Sequence, residues 1–235
     1  MITRRSSPLL VPCLVGAVGL LIVLLVLAAT VHAGPTTLDL SLAGAIQASG
    51  SGGLGALYRF LRLAGGAPVL GICVILVGAA LWVAGRRASA GLLVGGWLGA
   101  EVLAELVKLV VHRPRPPSAL LELGDTASFP SGHVVRTTVV LALLVATLVW
   151  PRRSWRVAGV AVAVLLALAM GLARIGVGDH WPTDVLGSYL LAGSWLLIVL
   201  PLWPVGLARL PVLRGAGMVG PREAPATPAK SAMER

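Results

Sequence analysis

Residues 88–116 read ASAGLLVGGWLGAEVLAELVKLVVHRPRP, and the reading of this stretch decides the fold. Up to Val111 it is apolar over a length that crosses about 30 Å of hydrocarbon at about 1.5 Å per helical residue. It then closes on His112-Arg113-Pro114-Arg115-Pro116. Proline and the residue before it disfavour helix, so the helix is predicted to stop there. Lys108 sits one turn inside that end, and Glu101, Glu105 and Lys108 share a face at i, i+4 and i+7. Ionisable groups at membrane depth are expensive and mark functional sites. Glu105 is expected to pair with Lys108, which lowers the penalty of burying the lysine. Gly91, Gly95 and Gly99 recur every four residues on another face, where close helix packing is expected.

The flanking sequence repeats the apolar pattern. The 235 residues are 57% hydrophobic and 12% charged, with mean hydropathy +0.92. A soluble domain carries about 25% charged residues. Apolar runs predict six spans, at about 9–31, 67–84, 88–111, 133–150, 156–175 and 183–203. The expected fold class is all-α, a polytopic membrane protein with six transmembrane helices. Arg4 and Arg5 before the first run, with Val31-His32-Ala33 after it, also fit a cleaved signal peptide. That run exceeds the roughly 7–15 residues of a signal-peptide core, so a retained helix is expected.

The net charge of +10 does not point to nucleic acid, because the cations lie in small groups at the ends of apolar runs. Arg4, Arg5, Arg86, Arg87, Arg152, Arg153, Arg156, Arg209, Arg214, Arg222, Lys230 and Arg235 all fall on one face of a six-span chain. Cationic loops stay in the cytoplasm, so that face and both termini are expected to be cytoplasmic. The other cations are Arg59, Arg62, Lys108, Arg113, Arg115, Arg136 and Arg174. Most of these crowd three segments: Lys108-x6-Arg115-Pro116, Pro130-Ser131-Gly132-His133 and Arg174-x5-His180-x3-Asp184. The same six crossings put all three segments at the outer membrane face.

Each segment has an ordinary explanation by itself: a snorkelling lysine, a capped helix, an interfacial His–Asp pair. Together they assemble the parts of a phosphoryl-transfer site. Ser131 is a good N-cap, and the free amides after it attract an anion. Gly132 lets a phosphate approach closely, and His133 stands on the first turn beside it. Arg174 closes the fifth span, and Pro182 suits the first helical position of the sixth. Asp184, in that first turn, is placed to accept from one ring nitrogen of His180 and leave the other free to attack. Arg136, His112 and Arg113 add cationic groups beyond these, and are candidate contacts to a substrate headgroup such as a second phosphate.

These residues resemble the type-2 phosphatidic acid phosphatase superfamily of membrane lipid phosphate phosphatases. Its pattern is K-x6-R-P, P-S-G-H and S-R-x5-H-x3-D, matched here between Lys108 and Asp184. The resemblance implies His180 as the nucleophile that forms a phosphohistidine, with Asp184 orienting it. It implies His133 as the acid for the leaving oxygen and then the base for water. Lys108, Arg115, Ser131, Gly132 and Arg174 would hold the phosphoryl oxygens. No metal and no cofactor are implied. The implied substrate is a lipid phosphate or diphosphate in the outer leaflet: a polyprenyl diphosphate, phosphatidate or phosphatidylglycerol phosphate. One position departs from the pattern. Ala173 stands where the family has serine, which removes a hydroxyl donor to the phosphate.

Residues 1–213 are read as the six-helix domain and 214–235, rich in Pro, Ala and charge, as a disordered cytoplasmic tail. Residues 34–66 are read as one outer connection with a Gly/Ser-rich patch at 49–53. Its later half, 54–61, has the helical period of a short amphipathic helix. Cys13 and Cys73 lie in apolar runs near opposite faces, so no disulfide is expected. Two other functions fit less well. A lipid phosphotransferase would use the same site with another acceptor. A transporter or channel would carry its ionisable groups deeper in the membrane.

Overall fold

The computed structural model of the chain describes residues 9–50, 53–117, 119, 127–149 and 152–207. Among them the chain forms eight α-helices: α1 (Leu10–Val31), α2 (Thr37–Ser49), α3 (Gly53–Ala64), α4 (Ala67–Val83), α5 (Arg87–Val111), α6 (Gly132–Leu144), α7 (Arg156–Gly176) and α8 (Pro182–Leu207). A π-helical turn, Val145–Val149, continues α6. The predicted tail at 214–235 lies outside the described residues.

Five helical segments are long and apolar enough to cross a membrane: α1, α5, Gly132–Val149, α7 and Pro182–Pro201. The expected span at 67–84 becomes α4, which has 17 residues. Taken with α3 it passes the same test, but the pair is bent by 56°. The chain is a multi-pass membrane protein with five such helices, or six if the bent pair counts as one. Its outward faces suit hydrocarbon. On α1, Val11, Val15, Ile22 and Leu25 are all exposed. Helices meet that demand because their backbone groups are bonded internally.

The core lies where α5, α6 and α8 meet, with α1 along α8 and α4 along α5. Small residues allow the close approach. A Cβ on Gly99 would collide with the Trp195 indole, and one on Gly96 would stand 2.7 Å from Leu143 Cδ1. The expected packing through Gly91 and Gly95 does not occur. A Cβ on either would meet nothing within 4 Å, so among the described residues only Gly99 of that stripe packs closely.

The expected single connection at 34–66 is two helices. The 54–61 period does form helix, within α3, with Leu57, Phe60 and Leu63 exposed and Tyr58 buried. The helix α2 was not anticipated, although its signal is local. Thr36 accepts from the Asp39 amide at 3.1 Å, and Asp39 accepts from the Thr36 amide at 2.9 Å, a reciprocal cap. Cys13 and Cys73 are free thiols.

Candidate active site

The C-terminal ends of α5 and α7 and the N-terminal ends of α6 and α8 meet at one end of the bundle, and the three motifs meet with them. The helix α5 ends on His112 in the left-handed region, φ 47°, with its amide on the Lys108 carbonyl at 3.0 Å. That turn sends Arg113 inward. The segment then pairs with the chain before α6: Ser128 N donates to the Arg113 carbonyl at 2.8 Å. Proline at 114 and 116 keeps the strand-like course that a helix would break.

Arg113 is fully buried and is not a headgroup contact, contrary to the sequence expectation. Its Nη1 bonds Asp184 Oδ1 at 2.5 Å and Thr183 Oγ1 at 2.7 Å. Its Nη2 bonds Asp39 Oδ2 at 2.7 Å and the Gly34 carbonyl at 3.1 Å. The guanidinium therefore ties α2, α5 and α8 together. Burial pushes the Asp39 carboxyl up, but hydrogen bonds from Thr36, Thr183 and Arg113 outweigh it and hold the group below its ordinary value of 3.8. His112 is exposed beside this network.

His180 is 1% exposed. Its Nδ1 lies 2.8 Å from the Ser128 carbonyl and 3.5 Å from Asp184 Oδ2. The backbone carbonyl is thus the nearer acceptor of the ring proton, and Asp184 stands beside it as the longer, charged partner. A carbonyl only accepts, so Nδ1 carries the proton and Nε2 presents its lone pair. Asp184 also acts one step removed. It accepts from Ser128 Oγ, and from Trp181 N at 2.8 Å, and so holds the segment that carries the carbonyl. Arg115 Nη1 stands 3.3 Å from Nε2 and bonds the Asp179 carbonyl at 3.0 Å. Burial holds the His180 pKa down at about 4, helped by Arg174 and Arg115 and opposed by Asp184. The ring is neutral at pH 7.

Ser131 occupies the N-cap of α6, but its hydroxyl makes no capping bond. Its amide donates to Ser188 Oγ at 2.9 Å, while the buried Oγ has no hydrogen-bond partner among the described residues. Gly132 follows. A Cβ there would stand 3.3 Å from Arg136 Nη2 and 3.7 Å from Lys108 Nζ, so glycine leaves both cations open to the helix start. Lys108 pairs with Glu105 at 3.0 Å, as the spacing indicates. Arg136 is tied to Glu101, Nε to Oε1 at 2.7 Å and Nη2 to Oε2 at 3.0 Å. Its Nη1 also donates to the Gly65 carbonyl at 3.4 Å. His133, on the first turn of α6, is buried beside these groups.

Two residues were missed. Arg174 Nη1 lies 2.9 Å from Asp179 Oδ2, and Arg62 Nε of α3 lies 2.8 Å from the same oxygen. Asp179 is wholly buried and directly precedes His180. It fell in an unspecified position of the third motif. Arg62 had one signal, its place among the cations that depart from the cytoplasmic pattern. Ala173, where the family has serine, is also wholly buried.

Comparison with known proteins agrees with this geometry. Residues 89–205 match the PAP2 superfamily. An undecaprenyl-diphosphatase of Sulfolobus acidocaldarius is 40% identical over 105 residues, 41% of this chain and 46% of that protein. An undecaprenyl-diphosphatase of Bacillus subtilis is 35% identical over 130 residues, 52% of this chain and 63% of that protein. Phosphatidylglycerophosphatase B of Escherichia coli is 37% identical over 78 residues, 32% of this chain and 28% of that protein. The chain thus spans between 28% and 63% of the length of these curated relatives. The crystal structure of a transmembrane PAP2 type phosphatidylglycerolphosphate phosphatase from Bacillus subtilis superposes with TM-score 0.64 and 25% identity, over 79% of this chain and 93% of that one. With its apolar helices, its three convergent motifs and these relatives, the chain belongs to the PAP2 superfamily.

Proposed function

We propose that this protein is an integral membrane phosphatase that hydrolyses a lipid phosphate or diphosphate through a phosphohistidine, with its site facing outward. One observation carries the reading. His180 is held as the Nδ1–H tautomer by the Ser128 carbonyl while its Nε2 lies 3.3 Å from Arg115 Nη1. An unprotonated ring nitrogen that accepts from a fixed guanidinium, which an incoming phosphate oxygen can take over, is the arrangement that attack on a phosphate needs. Nε2 forms the bond to phosphorus as the bond to the leaving oxygen breaks. His133 gives that oxygen a proton, then takes one from water. The water oxygen attacks phosphorus, the P–N bond breaks, and inorganic phosphate leaves with His180 restored. Lys108, Arg115, Arg174, the Gly132 amide and the Ser131 hydroxyl hold the phosphoryl oxygens. The buried Ser131 Oγ gains in a phosphate oxygen the partner it lacks among the described residues. The names of the relatives support a polyprenyl diphosphate or phosphatidylglycerol phosphate as substrate.

Purified protein should release inorganic phosphate from a panel of lipid phosphates and diphosphates with EDTA present. No release from any of them, or transfer of the phosphoryl group to another lipid in place of water, would overturn hydrolysis.

Sidedness has its own test. With Cys13 and Cys73 replaced by alanine, Pro117→Cys should react with an impermeant thiol reagent added outside intact cells, and Arg152→Cys should not. The reverse pattern would put the site in the cytoplasm.

The pH profile tests the state of His180. Its neutral form is the active one, and its folded pKa of about 4 lies below the ordinary 6.5. The acid limb of kcat/KM, after division by the substrate's own titration, should therefore fall near pH 4. The sign for stability is the same. The unfolded chain binds this proton near 6.5 and the folded chain does not, so stability falls as pH drops from about 6.5 toward 4. An acid limb at 6.5 or above would show an exposed or otherwise stabilised imidazolium.

A further inference from the structure

The cation that the family pattern assigns to phosphate, Arg174, does not stand free in this fold. It is 2% exposed, and its Nη1 lies 2.9 Å from the buried Asp179 carboxylate. A carboxylate one residue before the nucleophile is unfavourable for the proposed reaction. It neutralises a phosphate ligand, and it repels the incoming phosphate in a site where little water screens the charge. The fold answers with a third group. Arg62 Nε reaches the same Asp179 oxygen at 2.8 Å from α3, an element outside all three motifs. Counted over these three side chains, two arginines and one aspartate sum to +1, and removing Arg62 brings the sum to zero.

The placement of Arg62 is built into the packing. A Cβ on Gly176, at the end of α7, would collide with the Tyr58 ring, so glycine lets α3 lie directly on that end. Arg62 follows Tyr58 by one helical turn and so meets the chain that leads from α7 to His180. Its side chain is 21% exposed and lines a cavity of about 350 Å³ with Tyr58, Arg59, Gly176 and Val177. Solvent reaches this end of the cluster, which should let a neutral replacement fold.

We propose that Arg62 and Asp179 are a positioning pair for Arg174, in which Asp179 orients the guanidinium and Arg62 keeps the carboxylate from cancelling it toward phosphate. The proposal rests on the phosphatase reading, and it predicts opposite effects for the two partners. In Arg62→Gln the aspartate cancels Arg174 toward phosphate, so KM should rise about tenfold. In Asp179→Asn the repulsion disappears but the orientation is lost. KM should stay or fall, and kcat should drop about tenfold. The double variant should recover most of the KM lost in Arg62→Gln. A purely structural pair would lower melting temperature and active fraction without moving KM in opposite directions.

The experiment is steady-state phosphate release by the full chain in detergent, with the lipid phosphate that the wild type turns over best, for all three variants. KM values that shift the same way, losses that simply add, or wild-type kinetics in Arg62→Gln would overturn the proposal. If Arg62→Gln does not fold, Asp179→Asn decides alone. A lower kcat with unchanged or lower KM supports the pair, and a raised KM or wild-type kinetics overturns it. If the wild type releases no phosphate, the phosphatase reading fails by itself. The pair is then judged by calorimetric affinity for inorganic phosphate, where Arg62→Gln should weaken binding and Asp179→Asn should not.

Discussion

Replacing His180 by alanine is expected to lower phosphate release by about a thousandfold or more while the bundle stays folded. The ring supplies the bond-forming nitrogen, and among the described residues no side chain beside it is placed as a substitute. His133 belongs to a different helix and serves the leaving oxygen in the proposed reaction. The structural loss is small by comparison. His180 gives up one hydrogen bond to the Ser128 carbonyl and its approach to Arg115, whereas Asp184 keeps Arg113, Ser128 and Trp181. The measurement is initial rate per folded protein, with the melting temperature as the check on folding. His32→Ala, an exposed histidine at the end of α1, is the control. Residual turnover within tenfold of wild type would remove His180 from the nucleophile's place.

Arg113→Met should destabilise the protein by about 3–5 kcal/mol, enough to unfold a marginal bundle. Arg113 is 0% exposed, and it bridges two carboxylates, Asp39 and Asp184, that are also 0% exposed. Removing one member of a buried ion pair is costly because its partner is left charged and dry. Here two partners are left. Asp39→Asn added to Arg113→Met removes one of the stranded charges and should recover part of the loss. Arg115→Met provides the contrast. Arg115 faces the His180 ring and is only part-buried, so its loss should lower activity with little change in melting temperature. Melting in detergent for the three variants separates the two arginines. If Arg113→Met melts like wild type and loses only activity, Arg113 is a substrate contact after all.

These two arginines stand two residues apart, and they show where sequence reading reached and where it stopped. Hydrophobic length is a local property, so the membrane helices were legible, with α4 short of a full crossing because the chain bends at Gly65–Gly66. The Glu105–Lys108 pair was legible because helical spacing alone brings the two together. The convergence of the three motifs followed from the parity of the crossings. The cap that starts α2 was also in the sequence, as Thr36 and Asp39 three residues apart. What each polar group binds was not. Arg113 and Arg115 have the same side chain and neighbouring proline residues, and only the left-handed turn at His112 sends one into the core and the other toward His180. Arg136 carries the spacing of a headgroup contact, yet Glu101 on another helix takes its donors. Asp184 meets Ser128 as well as the ring it was expected to orient, and Arg62 reaches Asp179 across more than a hundred residues. Sequence alone determined the membrane crossings and which residues gather at one end, because hydrophobic length and helix period act within a segment. Tertiary structure decided the partner of each charge, because burial and ion pairing depend on distances between segments that no local pattern encodes.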